Sequence, residues 1–139
     1  MARAVICLHG GNRSALPLSA VRRVTEMSPV SRVPRAPPAL LGLISRQGRV
    51  AVLIDLGPLV GLRARPSRPE GKVVMLQRIR GDIGLYVSEV AGIEEVPAEA
   101  RELSEPSGAA RAQVDSPEGP LMLIDPEELQ RAIDNLVEA

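Results

Sequence analysis

At 139 residues, 45% of them hydrophobic, the chain is long enough to bury a sizeable core, but without Trp or Phe that core must be aliphatic. One Tyr excludes base stacking on aromatic side chains, one Cys excludes an internal disulfide, and no apolar run approaches the roughly 20 residues of a membrane span. The formal net charge is zero yet unevenly spread: residues 1–69 carry eleven Arg against Glu26 and Asp55, a net +9, and residues 70–139 carry five Arg and Lys72 against fifteen acids, a net −9.

Ala4 to Leu8 and Ser14 to Leu18 are short apolar runs around Gly10-Gly11-Asn12, which predicts a hairpin. Leu18 to Met27 reads as a turn of helix or a strand, with Val21 and Val24 sharing a face at helical spacing. Pro29, Pro34, Pro37 and Pro38 exclude regular helix and central strand, and each pushes the preceding residue toward extended geometry. A stiff arm follows, ending in a turn at Pro38-Ala39-Leu40. Leu41 to Ser45 and Arg49 to Leu56 predict a second hairpin turning at Gln47-Gly48, where Gly48 supplies a positive φ. Gly57-Pro58 opens a short helix, capped by Asp55.

Arg63 to Gly71 is polar and proline-bearing, hence an exposed loop. Lys72 to Arg78 and Ile83 to Val90 predict a third hairpin around Arg80-Gly81-Asp82, and Gly92 to Val96 another short strand. Ala98 to Gly119 has few large apolar residues and reads as a mobile loop, with a weak strand at Ala109 to Val114. Pro120 to Ile124 is a strand. Asp125-Pro126-Glu127-Glu128 then opens a terminal helix with cap, first-turn proline and acids in order, and Leu129, Ile133 and Leu136 form its apolar face. Many short strands with brief helical interruptions predict small β-barrels within one domain, residues 1–139.

The sequence assembles no chemistry. His9 is the sole histidine and has no partners at metal-ligand spacing, so neither metal nor cofactor is expected. Cys7 and His9 share a strand face, but a buried Cys acting as a small apolar residue accounts for that spacing. The glycines form neither dinucleotide nor P-loop patterns. Asp55 is either a lone carboxylate or a helix cap, and its position before Gly57-Pro58 favours the cap. The expectation is a binding protein with no catalytic residue and no small-molecule substrate. The scattered Arg residues read as charges interleaved between the two halves, leaving nucleic-acid binding as a weaker alternative.

The stretch Val33 to Leu62 orders these pieces distinctively. Gly42-Leu43-Ile44-Ser45-Arg46-Gln47-Gly48 is followed by Val52-Leu53-Ile54-Asp55-Leu56. Val21-Arg22-Arg23-Val24 lies upstream, Gly84-Leu85-Tyr86-Val87-Ser88-Glu89-Val90 downstream, and Leu121 to Leu136 closes the chain. This order resembles the CheW-like coupling proteins of bacterial chemotaxis over nearly the whole length. Two positions depart from the family's Gly-x-x-Asn-x-Arg-Gly turn: Ser45 stands for Asn and Gln47 for Arg, which removes a forked cation that Gln does not replace.

The resemblance implies a mainly β fold of two intertwined SH3-like barrels with short helices and a C-terminal helix. It implies a cytoplasmic, non-catalytic adaptor, recruited to receptor arrays without inserting into the membrane. Its partners would be the cytoplasmic tip of a methyl-accepting chemoreceptor and the regulatory domain of a CheA-type histidine kinase, or one of the two. The implied interface comprises Val21, Arg23, Val24, Gly42, Arg46, Gln47, Val87 and Val90. The four valines would form an apolar groove for a receptor helix, or alternatively ordinary core, and Arg46 and Gln47 its polar edge. As groove, Val87→Glu would abolish receptor binding in a folded domain; as core, it would unfold it.

Overall fold

Two glycine-bearing turns place the first strands as expected. In the computed structural model, which describes residues 2–78, 81–96 and 100–138, β1 (Ala2–His9) and β2 (Asn12–Pro17) form a hairpin closed by Gly10 and Gly11. The second turn joins β4 (Leu40–Arg46) to β5 (Arg49–Asp55) through Gln47 and Gly48, with φ of 51° and 78°. Positive φ at both central residues matches the right-handed twist of a tight hairpin.

Between these hairpins, Leu18–Ala20 makes one 3-10 turn and β3 (Val21–Glu26) runs as a strand. The spacing of Val21 and Val24 is therefore not helical. A register shift between Val21 and Arg23 in the pairing of β3 with β6 (Lys72–Leu76) accounts for it, placing Val21 opposite Leu76 and Val24 opposite Val74. The proline arm then packs back on the sheet, where Ser31 and Leu43 exchange two backbone hydrogen bonds of 2.8 Å.

The helix α1 (Leu56–Leu59) is a single turn, and the Asp55 side chain accepts the Gly57 N–H at 3.1 Å, the capping role expected of it. After the irregular 63–71 loop, β6 pairs antiparallel with β7 (Ile83–Val87); Arg80 of the expected turn lies outside the described residues. The run expected to extend to Val90 divides at Ser88. Val90 belongs to β8 (Glu89–Val96), which pairs with β1.

The expected mobile loop is a correction. Most of it forms β9 (Arg101–Ser107) and β10 (Ala110–Ser116), while Ala98 and Glu99 lie outside the described residues. β9 is an edge strand with most side chains exposed and with Pro106 in it, so it carries no apolar alternation to read. β11 (Gly119–Ile124) pairs with β10 and runs parallel to β2. Helix α2 (Pro126–Glu138) starts at Asp125, whose carboxylate accepts the Glu127 and Glu128 N–H groups at 2.9 and 3.3 Å.

Two sheets result: β8-β1-β2-β11-β10-β9 and β3-β6-β7-β5-β4. The chain begins in the first, builds the whole second, then returns, so the two SH3-like barrels are intertwined. Strand alternation divides the buried residues into three groups. Ala4 and Ile6 of β1 pack with Ala15 and Leu121 inside the first sheet. Val73, Met75 and Tyr86 pack with Ile44, Ala51 and Leu53 inside the second. The intervening residues, Val5 and Cys7 of β1, Val74 and Leu76 of β6, Leu85 and Val87 of β7, meet Leu56, Leu129 and Ile133 of the helices in the largest cluster. These strands read as near-continuous apolar runs because both of their faces are buried. Burial also pushes the Cys7 thiol up to about 12, so it stays protonated at neutral pH and serves as packing.

Candidate functional site

A concavity lies at the mouth of the second barrel. Ala51 and Met75 line it from the barrel interior, and Arg22, Arg23, Thr25, Arg46, Gln47 and Arg49 surround them. Arg23 and Thr25 reach it because they oppose Met75 and Val73, which point into that barrel, whereas Val24 opposes Val74 of the shared core. The strand thus turns its basic residues to the mouth and its valines away.

Several of these cations hold the barrel together. Arg46 Nη1 donates to the Glu26 carbonyl at 3.1 Å and to Ser28 Oγ at 2.9 Å, tying the end of β4 to the end of β3. β3 and β4 are the two edges of the five-stranded sheet, so Arg46 clasps one edge to the other. Asp82, in the turn before β7, accepts from Arg49 Nε and Nη2 at 2.7 and 3.0 Å and from Arg22 Nη1 at 3.5 Å. One well-buried carboxylate therefore anchors two arginines from different strands. Arg23 is different. It is exposed and makes no ion pair among the described residues, and so presents its guanidinium at the mouth.

The eight residues singled out from the sequence separate into distinct places. Arg23, Arg46 and Gln47 converge on the barrel mouth. Val21 and Val90 are half-buried at the margin of the shared core, and Val24 is 40% exposed on β3. Val87 is fully buried inside that core, so it is not a surface contact; its place in β7, with both faces covered, decides the matter for packing. Gly42 is also buried. The Ser31 backbone lies against it, and a Cβ there would sit 2.8 Å from Val30 Cγ1, so this glycine lets the proline arm close on β4 rather than meet a partner. The charge asymmetry also resolves in part: Arg13 reaches Glu94 and Glu118, and Arg22 and Arg49 reach Asp82 across the two halves of the sequence.

A second polar feature had no signal in the sequence. His9 Nε2 lies 2.9 Å from Asp55 Oδ1, an ion-pair distance without the alignment of a straight hydrogen bond. Both side chains are buried, and the pair joins the end of β1 to the end of β5, across the two sheets. Asp55 also accepts the Arg65 N–H at 2.9 Å, so the helix cap anchors the 63–71 loop as well. The two residues are far apart in sequence, and only the folded register brings them together.

Among the described residues no group of His, Cys, Asp and Glu could hold a metal ion, and no helix is long and apolar enough to cross a membrane. Neither the barrel mouth nor the His9–Asp55 pair sets an activated nucleophile beside a base and an oxyanion-stabilising group.

Comparison with known proteins agrees with this architecture. The solved structure of the scaffolding protein TtCheW from Thermoanaerobacter tengcongensis superposes with a TM-score of 0.75 over 89% of this chain and 84% of that one, at 15% identity. The probable chemotaxis protein CheW of Rhizobium etli is 27% identical over 84 residues, and the chemotaxis protein CheW of Rhizobium meliloti 26% identical over 84. Those alignments span 60% of this chain and 54% of each relative, about half their length. The CheW-like domain family matches residues 3–133, and the chain belongs to that family.

Proposed function

We propose that this protein is a non-catalytic chemosensory adaptor that joins the cytoplasmic tip of a chemoreceptor to the regulatory domain of a CheA-type histidine kinase. The observation that carries the reading is the mouth of the second barrel: a preformed concavity with an apolar floor and an arginine rim, on a chain whose family is one of scaffolds. Apolar floors with polar rims suit protein partners. On this reading the receptor helix lies across the β3 edge. Val21, Val24 and Val90 give it apolar contact, while Arg23, Arg46 and Gln47 hold its polar side. The protein then acts in the cytoplasm at receptor arrays.

Arg23→Glu tests the reading without touching the clasp or the Asp82 anchor, because Arg23 is exposed and makes no ion pair among the described residues. The wild-type chain is titrated separately with a receptor tip and with a kinase regulatory domain from the same genome, by calorimetry. We expect binding to both, and at least tenfold weaker receptor binding for Arg23→Glu with its circular dichroism unchanged. Binding to only one partner would identify a single-partner adaptor. Binding to neither, or an Arg23→Glu affinity equal to wild type, would remove the barrel mouth from the mechanism.

A further inference from the structure

The 63–71 loop is held by its backbone and leaves its cations uncompensated. Arg65 N–H donates to Asp55 at 2.9 Å and Arg68 N–H to Tyr86 Oη at 3.0 Å, so the loop is fixed at two points. The Arg65 side chain makes no ion pair among the described residues. Its guanidinium lies over Gly10, where a Cβ would stand 2.6 Å from Cζ, so the absence of a side chain at Gly10 admits it. Arg68 approaches only Glu70, at 4.0 Å with both side chains well exposed, a pair of little strength.

These two arginines line a cleft of about 490 Å³ together with His9, Tyr86, Ser88 and Glu70. His9 is 2% exposed, yet its Nδ1 has no hydrogen-bond partner, although buried polar atoms are normally partnered. Its ring is fixed by Asp55 on one side and by the edge-on Tyr86 ring at 6.2 Å. The Nδ1 atom of this ring is therefore a buried polar atom at the cleft wall with its hydrogen-bonding capacity unused among the described residues. Two guanidiniums, this ring nitrogen and the Ser88 hydroxyl thus line one cleft, with Glu70 as its one carboxylate among the described residues.

We propose that this cleft binds a small tetrahedral oxyanion of the phosphate type, with Arg65 and Arg68 as forked donors and His9 Nδ1 as the buried third contact. Forked guanidiniums match such oxygens in geometry as well as charge. The site lies apart from the barrel mouth and stands or falls independently of the adaptor reading. The oxyanion is either free phosphate or the phosphate of a modified side chain.

His9 is the only histidine, so its imidazole signals report on the site without ambiguity. Inorganic phosphate is titrated into the full chain at constant ionic strength, with chloride as the control and phosphoserine in a parallel arm, following His9 and the Arg65 and Arg68 amides by NMR. We expect saturable shifts with phosphate, absent with chloride, and at least tenfold weaker binding in Arg65→Gln/Arg68→Gln, whose exposed substitutions leave the fold intact. Tighter binding of phosphoserine than of phosphate would assign the oxyanion to a modified side chain, and the reverse order to the free ion. Non-saturating shifts, equal shifts with chloride, or unchanged affinity in the double variant would overturn the proposal.

Discussion

Val87 shows how one residue's meaning depends on what lies on either side of its strand. The sequence places it in an apolar run and leaves groove and core as alternatives; its zero exposure in the shared cluster makes it core. A glutamate there would bury an unpaired carboxylate among Leu85, Val5 and the helices. We expect Val87→Glu to cost about 4 kcal/mol or more, enough to abolish cooperative folding in a domain of ordinary stability. Far-UV circular dichroism and a thermal melt check this, and a folded Val87→Glu protein would contradict the core assignment. Val24, on the edge strand β3 beyond β6 and 40% exposed, tolerates the same change in the fold. The contrast was not legible beforehand, because groove and core are open alternatives for both valines until the strand pairing is known. His9 and Asp55 make the same point for polar residues: each was read alone, and their contact belongs to the register of two sheets.

At the scale of elements, what the sequence revealed was what local chemistry decides. Gly10-Gly11 and Gln47-Gly48 turn hairpins because their backbones take positive φ, and Asp125-Pro126 starts a helix because cap and first turn are adjacent. Elements decided by distant neighbours were hidden. β9 is a strand by virtue of β10 beside it, and β8 leaves β7 at Ser88 without a glycine or proline to mark the change of sheet. The turn at Gln47 combines both kinds of information. A non-glycine residue at φ 51° is strained relative to Gly or Asn, and this is the position where the family places Arg. Gln47→Asn should stabilise the protein by about 0.5 kcal/mol, since Asn tolerates the left-handed region, while Gln47→Val should destabilise it by about 1 kcal/mol or more. Denaturant midpoints in the order Asn, Gln, Val, with unchanged slopes, would agree; a Val variant as stable as wild type would mean the turn relaxes to another type.

For the whole molecule, the decisive feature is that the largest buried cluster belongs to neither barrel alone. It takes Val5 and Cys7 from the first sheet, Leu76, Leu85 and Val87 from the second, and Leu56, Leu129 and Ile133 from the helices. Each barrel's own interior is smaller, with four buried residues in the first and six in the second among the described residues. Neither barrel keeps its main apolar contacts if the other opens, because exposing the shared face removes most of the burial that stabilises both. The chain path reinforces this, since β1 and β2 pair with strands that follow the entire second barrel. The two barrels should therefore unfold together. Tyr86, the single aromatic side chain of the Phe, Trp and Tyr class, lies inside the second barrel, so its fluorescence reports on that barrel, whereas far-UV circular dichroism reports on both. Denaturant titrations followed by the two signals should give coincident midpoints and slopes, the mark of a two-state transition. A Tyr86 transition preceding the loss of dichroism would show that the second barrel opens by itself, and the shared cluster would then be a docking surface between two separately stable units rather than a common core.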